Sequence, residues 1–353
     1  MDIYVLDKNT FEKIEVIDVF KSFIWTERAN SPGDFELVLY PNKKWAKVLK
    51  VDNYIQHSET DEAMIIEEVH TSRNEDSELI TLKGRDLSTL LMRRVVYPPK
   101  GVETYKVTSQ IPGICQNIVR KFIKEGVNLS GNKDSIPNLT MSTNITNTRD
   151  YEMAFQPQSV YDAVKTTCDL EDATFGIALN NKEPRLRFYC NKGSVKDLYF
   201  SIETDSMTDV STARSHKNMY NVAYIWSREG KYREAIESNY FKDGISRRIL
   251  PIYASDLDVD ENTNEARLRR LLRTRGYEEL AKTRTTFMID GTISNVSEYK
   301  YRTHYNLGDW ITLLDNTGEH LNVMVTEYIY SIDANGMRSY PTFVDKLSSD
   351  TWS

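Results

Sequence analysis

Reactive handles are scarce in this chain. Cysteine occurs three times in 353 residues, at Cys115, Cys168 and Cys190. An odd count with no Cys-x-x-Cys pair favours buried apolar thiols over a disulfide framework or a zinc site. The five histidines, His57, His70, His216, His304 and His320, lack any metal spacing such as His-Glu-x-x-His and read as ordinary strand or loop residues. Gly-x-Ser-x-Gly, Walker A and Gly-x-Gly-x-x-Gly are all missing, so serine-hydrolase and nucleotide chemistry have no anchor. No apolar run approaches the ~20 residues that cross a bilayer. Met1-Asp2-Ile3-Tyr4 has neither the basic nor the apolar region of a signal peptide, so the expectation is a chain made and used without Sec export. Positive charge is also in deficit. A formal net charge of −7 argues against nucleic-acid binding as the main task, because phosphate contacts need clustered Lys and Arg.

Three features imitate chemistry without completing it. Asp256-Leu257-Asp258-Val259-Asp260 opens like an EF-hand loop, but Glu261 stands where Gly is needed and Arg267 where a bidentate Glu should be. Acidic residues leading into a helix N-terminus explain the run better. Arg267, Arg269, Arg270, Arg273 and Arg275 form the main basic cluster, on a single helix with acidic neighbours; a salt-bridged contact or a solvated face is the expectation. The 52 acidic residues offer many carboxylate pairs for a glycosidase, and nothing in the sequence singles out one of them. No catalytic, cofactor-binding or metal-binding residue is therefore assigned, and no cofactor is expected.

The organisation is that of an α+β protein. A charged fraction of 27% with 40% hydrophobic residues fits a globular chain, and 353 residues exceed one ordinary core. Residues 1–97 read as a first β-domain whose short closing helix carries Leu87, Leu90 and Leu91 behind an Asp86 N-cap. Residues 98–205 read as a middle α+β domain. Its first helix runs from about Pro112 to Gly126, residues 128–148 form a surface loop, and a second helix presents Val160, Ala163, Val164, Thr167 and Cys168 before a hairpin. Residues 206–345 read as a second β-domain with an inserted helix bearing Leu268, Leu271 and Leu272, and 346–353 as a C-terminal tail.

Two stretches resemble each other. Asp52-Asn53-Tyr54-Ile55 leads to Glu68 and a polar turn at Asn74-Glu75-Asp76; Asp309-Trp310-Ile311 leads to Glu327 and a turn at Asp333. Each reads as strand, longer strand, polar turn, strand; the expectation is an internal duplication, the alternative being the spacing common to any antiparallel meander.

The densest signal runs from Phe23 to Leu39. Two alternating apolar runs flank Ser31-Pro32-Gly33-Asp34, where Pro32 presets φ at the second turn position and Gly33 supplies a positive φ at the third. The wording Phe23-Ile24-Trp25-Thr26-Glu27-Arg28, then Gly33-Asp34-Phe35-Glu36-Leu37, resembles the start of the tail-hub proteins of long-tailed bacteriophages. The resemblance continues through Asp52-Asn53-Tyr54-Ile55, Met64-Ile65-Ile66-Glu67, Gly84-Arg85-Asp86-Leu87 and Gly308-Asp309-Trp310-Ile311.

That resemblance implies two β-barrel or meander domains with an intervening α+β domain, on the baseplate-hub fold. It implies a structural virion protein of a non-contractile tail, a homotrimeric ring that joins the sixfold tail tube, its distal tail protein and the tape measure protein to receptor-binding or spike proteins below. DNA would pass through the ring. The place implied is the tail tip of the virion, assembled in host cytoplasm. Family members with hydrolase or fibre activities carry long C-terminal extensions, whereas Ser353 follows soon after the last strand, so the expectation is that other proteins supply those activities and that this chain is no enzyme. The alternative is a carbohydrate-binding receptor module of the tail tip, using exposed aromatics among its Tyr and Trp residues.

Overall fold

Alternation decides the first hairpin. Phe23 and Trp25 face Leu37 and Phe35 across it and point the same way, so pairing in any other register would expose the aromatics. In the computed structural model, strands β1 (Ile3–Leu6), β2 (Lys13–Ile17), β3 (Ser22–Arg28), β4 (Asp34–Leu39), β5 (Tyr54–His57), β6 (Met64–Arg73) and β7 (Glu78–Asp86) form the first β-unit. The structure describes residues 1–42, 44–73, 78–127, 134–146, 149–180, 185–237, 243–257, 264–283, 285–294, 297–314 and 318–346. The expected turns at 74–76 and 181–184, parts of the 128–148 loop, residues 258–261 and the tail from 347, Trp352 included, lie outside them.

The hairpin turn corrects one expectation. Gly33 is absent from the left-handed region; the residue with positive φ is Asn30, at 54°. Gly33 is required for closeness instead, since a Cβ there would lie 2.4 Å from the Thr26 carbonyl oxygen. Asp86 does cap the segment after β7, accepting from the Ser88 amide at 2.8 Å, and Leu87–Arg93 is a 3-10 helix.

The middle layer holds β8 (Val95–Val96), β9 (Tyr105–Ser109), α1 (Ile111–Val119), β10 (Leu139–Thr143), β11 (Tyr151–Phe155), β12 (Gln158–Ser159), α2 (Val160–Asp169), β13 (Ala173–Asn180) and β14 (Arg185–Lys192). The first helix keeps its apolar stripe but widens to π geometry over Arg120–Glu125, where Phe122 and Ile123 both stay buried, and stops at Gly126 with φ 76°. The expected surface loop at 128–148 is overturned in part. β10 lies parallel to β14, and Leu139 and Ile145 are buried. The Asn-, Ser- and Thr-rich composition hid two inward-facing apolar residues, Leu139 in the strand and Ile145 just beyond it.

A second β-unit follows: β15 (Val195–Phe200), β16 (Met207–Arg214), then β17 (Val222–Ser227), β18 (Arg233–Glu237), β19 (Ile249–Ala254) and α3 (Glu265–Ala281), then β20 (Thr285–Ile293), β21 (Trp310–Leu314), β22 (His320–Asp333) and β23 (Gly336–Lys346). The helix packs with Leu268, Leu271 and Leu272 on the small sheet β18-β17-β19.

The pairing order repeats. The first unit runs β3-β4-β7-β6-β5-β1 and the second β16-β20-β23-β22-β21-β15. The likeness extends to single hydrogen bonds. Asp52 N–H donates to Ile66 O and Ile66 N–H to Asn53 O, both at 2.8 Å; Gly308 N–H donates to Val325 O at 2.8 Å and Val325 N–H to Asp309 O at 2.9 Å. A register shift follows each, at Ile66/Glu68 and at Val325/Glu327. The orders differ at the far strand, because β1 is antiparallel to β5 while β15 is parallel to β21. The segment holding β17–β19 and α3 sits between β16 and β20, where the first unit has only the β3–β4 turn.

The units join edge to edge. β22 pairs with β3, Glu327 opposite Arg28 through Ile332 opposite Phe23, and makes one open series from β16 to β2. Phe23, Trp25 and Phe35 share a single core with Phe200, Tyr305 and Phe343 across that seam. Trp25 is fully buried while Ile24, its neighbour on the same strand, is exposed. Trp25→Ala should therefore lower stability by about 3–5 kcal/mol in a denaturant titration. Ile24→Ala should stay within about 0.5 kcal/mol. Equal losses would contradict the inward assignment of Trp25.

Candidate functional site

The turn closing the β3–β4 hairpin touches every layer of the molecule. At its start the Arg28 guanidinium lies against the Asp34 and Glu327 carboxylates and donates to the Pro32 carbonyl at 3.0 Å, tying the turn to β22. Asn30 reaches the middle layer. Its amide donates to Asp169 Oδ1 at 3.1 Å and to the Ala173 carbonyl at 2.7 Å, and its carbonyl oxygen accepts from Phe175 N–H at 3.2 Å. Gly33 N–H donates to the Asp86 carboxylate, the same group that caps the helical turn after β7. Beneath the turn, buried Glu27 accepts from the Trp25 indole at 2.9 Å, the Tyr301 hydroxyl at 2.8 Å and the Arg302 guanidinium at 2.5 Å. A buried carboxylate survives only when so compensated.

Under this turn lies a cavity of about 390 Å³, between the two β-units and the middle layer. Glu62, Tyr161, Tyr189, Lys196, Arg302 and Asp309 are among its lining residues. Asp309 accepts from the amides of Ser194 at 2.8 Å and Asn306 at 2.9 Å, with Lys196 at 3.5 Å. Among the described residues, the Tyr161 hydroxyl and Arg302 Nε have no hydrogen-bond partner, and a polar cavity of this size is wet. Burial, then the charge of Glu27, pushes the Glu62 carboxyl up to about 8. Among the described residues no nucleophile–base pair is arranged around it: Glu27, Asp86 and Asp309 are each held by amides, hydroxyls or cations.

The groups singled out in the sequence have structural places. His57 is fully buried against Phe23, Trp25 and Tyr330; its Nδ1 accepts from Glu59 N–H at 3.3 Å, and burial pushes it down to about 4, so the ring is neutral. His70 pairs with Glu68 at 2.8 Å. Asp256, the opening of the EF-hand imitation, is held by the Arg275 guanidinium at 2.8 and 3.1 Å. The basic face of α3 is consumed within the chain. Arg267 and Arg270 hold Glu152 on β11, while Arg269 and Arg273 hold Glu234 on β18. Pairing with neighbouring acidic strands, which sequence spacing could not show, removes the phosphate-binding footprint. The three cysteines meet in the middle core, Cys168 Sγ lying 3.7 Å from both Cys115 Sγ and Cys190 Sγ. Their wide spacing gave no signal of that convergence.

Removing both cations of Glu152 would strand a carboxylate with 2% exposure. Arg267→Ala with Arg270→Ala should cost about 3–5 kcal/mol in a denaturant titration, and either alone much less; additive small losses would show that Glu152 is solvated. The cavity predicts a pH effect. Glu62 has an ordinary value of 4.5 and a folded value of about 8, so the folded state holds a proton that the unfolded state has lost, and stability falls as pH rises through that window. His57 acts oppositely and only below its ordinary 6.5. Between pH 6.5 and 8 the melting temperature of the natural protein should therefore fall relative to Glu62→Gln; a constant difference would place the Glu62 carboxyl in open water.

Several solved phage tail proteins share this architecture. The prophage MuSo2 43 kDa tail protein of Shewanella oneidensis is similar with a TM-score of 0.63 at 12% identity, covering 99% of each chain. A tail protein of Neisseria meningitidis MC58 gives 0.61 at 12% identity, covering 97% of this chain and 96% of that one. The prophage tail protein gp18 of Listeria monocytogenes EGD-e gives 0.56 at 11%, covering 99% and 96%. These likenesses show the fold alone, a mixed α+β architecture shared with phage tail proteins. No curated protein sequence matches. The family described as Siphovirus ReqiPepy6 Gp37-like protein matches residues 2–343, and the chain belongs to that family of phage tail proteins.

Proposed function

We propose that this tail protein is the tail-tip hub: three copies close a ring that joins the sixfold tail tube and distal tail protein to the components below, with the tape measure protein and then DNA passing through. The observation that carries the reading is the seam between β22 and β3. Within one chain, residues 327–332 of the second unit pair with 28–23 of the first. By the repeat, β6 corresponds to β22 and β16 to β3. The matching edges, residues 68–73 of β6 and the far side of β16, pair with no other described strand. Both are exposed, with the polar residues His70, Thr71 and Ser72 on one and Ser211 and Thr212 on the other. The same seam can form between one chain's first unit and the next chain's second unit. Such heterologous contacts close a ring, and three chains then present six similar β-units to a sixfold tube.

The charge pattern agrees. A net charge of −7 with the α3 arginines paired internally leaves little to hold passing phosphates. The place of work is the virion tail tip, with assembly in host cytoplasm and receptor-binding or spike proteins as neighbours. Among the described residues no helix is long and apolar enough to cross a membrane. We read the part as structural rather than enzymatic, because the junction carboxylates are engaged in holding layers together. Among the described tryptophans the carbohydrate-binding alternative finds no fully exposed platform, Trp25 and Trp45 being buried and Trp226 and Trp310 half-buried; its exposed aromatics are tyrosines such as Tyr40 and Tyr253.

Carrying the register across places Ser72 opposite Ser211 of the next chain, as Ser331 lies opposite Ile24 within one. Ser72→Cys combined with Ser211→Cys should, on mild oxidation, give disulfide-linked dimers and trimers and no larger species on a denaturing gel. Either change alone should give none. Monomer only, or an open-ended ladder, would overturn the ring.

A further inference from the structure

Three separate elements deliver one sulfur each to a single point in the middle layer: Cys115 from α1, Cys168 from α2 and Cys190 from β14. All three side chains have no exposed surface and are free of disulfides. Cys168 Sγ is 3.7 Å from each of the other two sulfurs, and all three lie within 4.8 Å of one another. A triangle of that shape has its centre about 2.1–2.4 Å from every corner, the length of a zinc–thiolate bond at ~2.3 Å. The same bond length gives sulfur–sulfur edges of about 4.0 Å for a metal in the plane of three sulfurs and about 3.8 Å for a tetrahedral metal just off that plane.

We propose that Cys115, Cys168 and Cys190 form a buried three-thiolate site for one thiophilic closed-shell metal ion of the zinc or copper(I) class. The donor set excludes hard cations, which take oxygen ligands. Among the described residues the cluster contains no histidine or carboxylate, so sulfur alone selects the ion. The protons have a route out. Each thiol gives up its proton as its metal–sulfur bond forms, so metal binding releases protons to solvent. No electron changes hands. Since the site is sealed, loading must accompany folding, and the ion would clamp α1 and α2 to β14 in the layer that the Asn30 turn grips from outside.

The test uses the full chain, produced in medium supplemented with zinc and copper and washed with chelator. Elemental analysis should find close to one zinc or copper per chain. Released metal should appear in a colorimetric indicator only after unfolding in urea, and thiol titration in urea should find all three thiols protected until chelator is added. Refolding with cadmium should produce thiolate-to-cadmium charge-transfer absorption, absent from Cys168→Ala. Should that variant not fold, Cys115→Ala and the measurements on the natural protein decide. Three freely reactive thiols in urea with metal well below one-tenth equivalent, and no cadmium band, would overturn the site and leave three apolar thiols in contact.

Discussion

One guanidinium and one amide at the β3–β4 turn hold the molecule's parts in place. Arg28 bridges the turn to Glu327 on β22, and Asn30 bridges it to Asp169, Ala173 and Phe175 in the middle layer. Behind them Glu27 is fixed by Trp25, Tyr301 and Arg302. Each of these groups is costly to bury alone, so removing one leaves its partners uncompensated, at about 3–5 kcal/mol for a charged pair. Total stabilities of ~5–15 kcal/mol put a single loss within reach of unfolding. The residues between Trp25 and Asp34 are thus held to one arrangement by geometry on three sides.

Much of this was legible in the sequence and some was not. Strands with period-two alternation, such as Phe23–Trp25 against Phe35–Leu37, announce both their type and their inward face. The duplicated spacing around Asp52 and Asp309 reaches down to matching backbone hydrogen bonds, because the same bulge recurs after Ile66 and after Val325. Gly33 was right for the wrong reason. A positive φ and a close approach both select glycine, and only the fold tells them apart. β10 was hidden because its partner β14 lies more than forty residues away and runs parallel, which leaves no local hairpin signal. The junction cavity and the cysteine cluster were invisible for the same reason: each gathers residues from distant elements.

The two β-units are alike in pairing but unlike in dress. The first closes its β3–β4 turn in a few residues, while the second spends the equivalent connection on a three-stranded sheet and α3, anchored by Glu152 and Glu234 to the arginine face. In the proposed ring this difference would turn sixfold contact surfaces on one side into threefold decoration on the other. A hub needs that change of symmetry between a tube and a spike.

The ring is tested most directly by measuring the mass of the full chain in solution together with electron-microscope images of the same sample. A mass of three chains, each 40.9 kDa, in particles with a central hole and six similar lobes is the predicted result. A monomer at all accessible concentrations, with no ring in isolated virion tails, would contradict it.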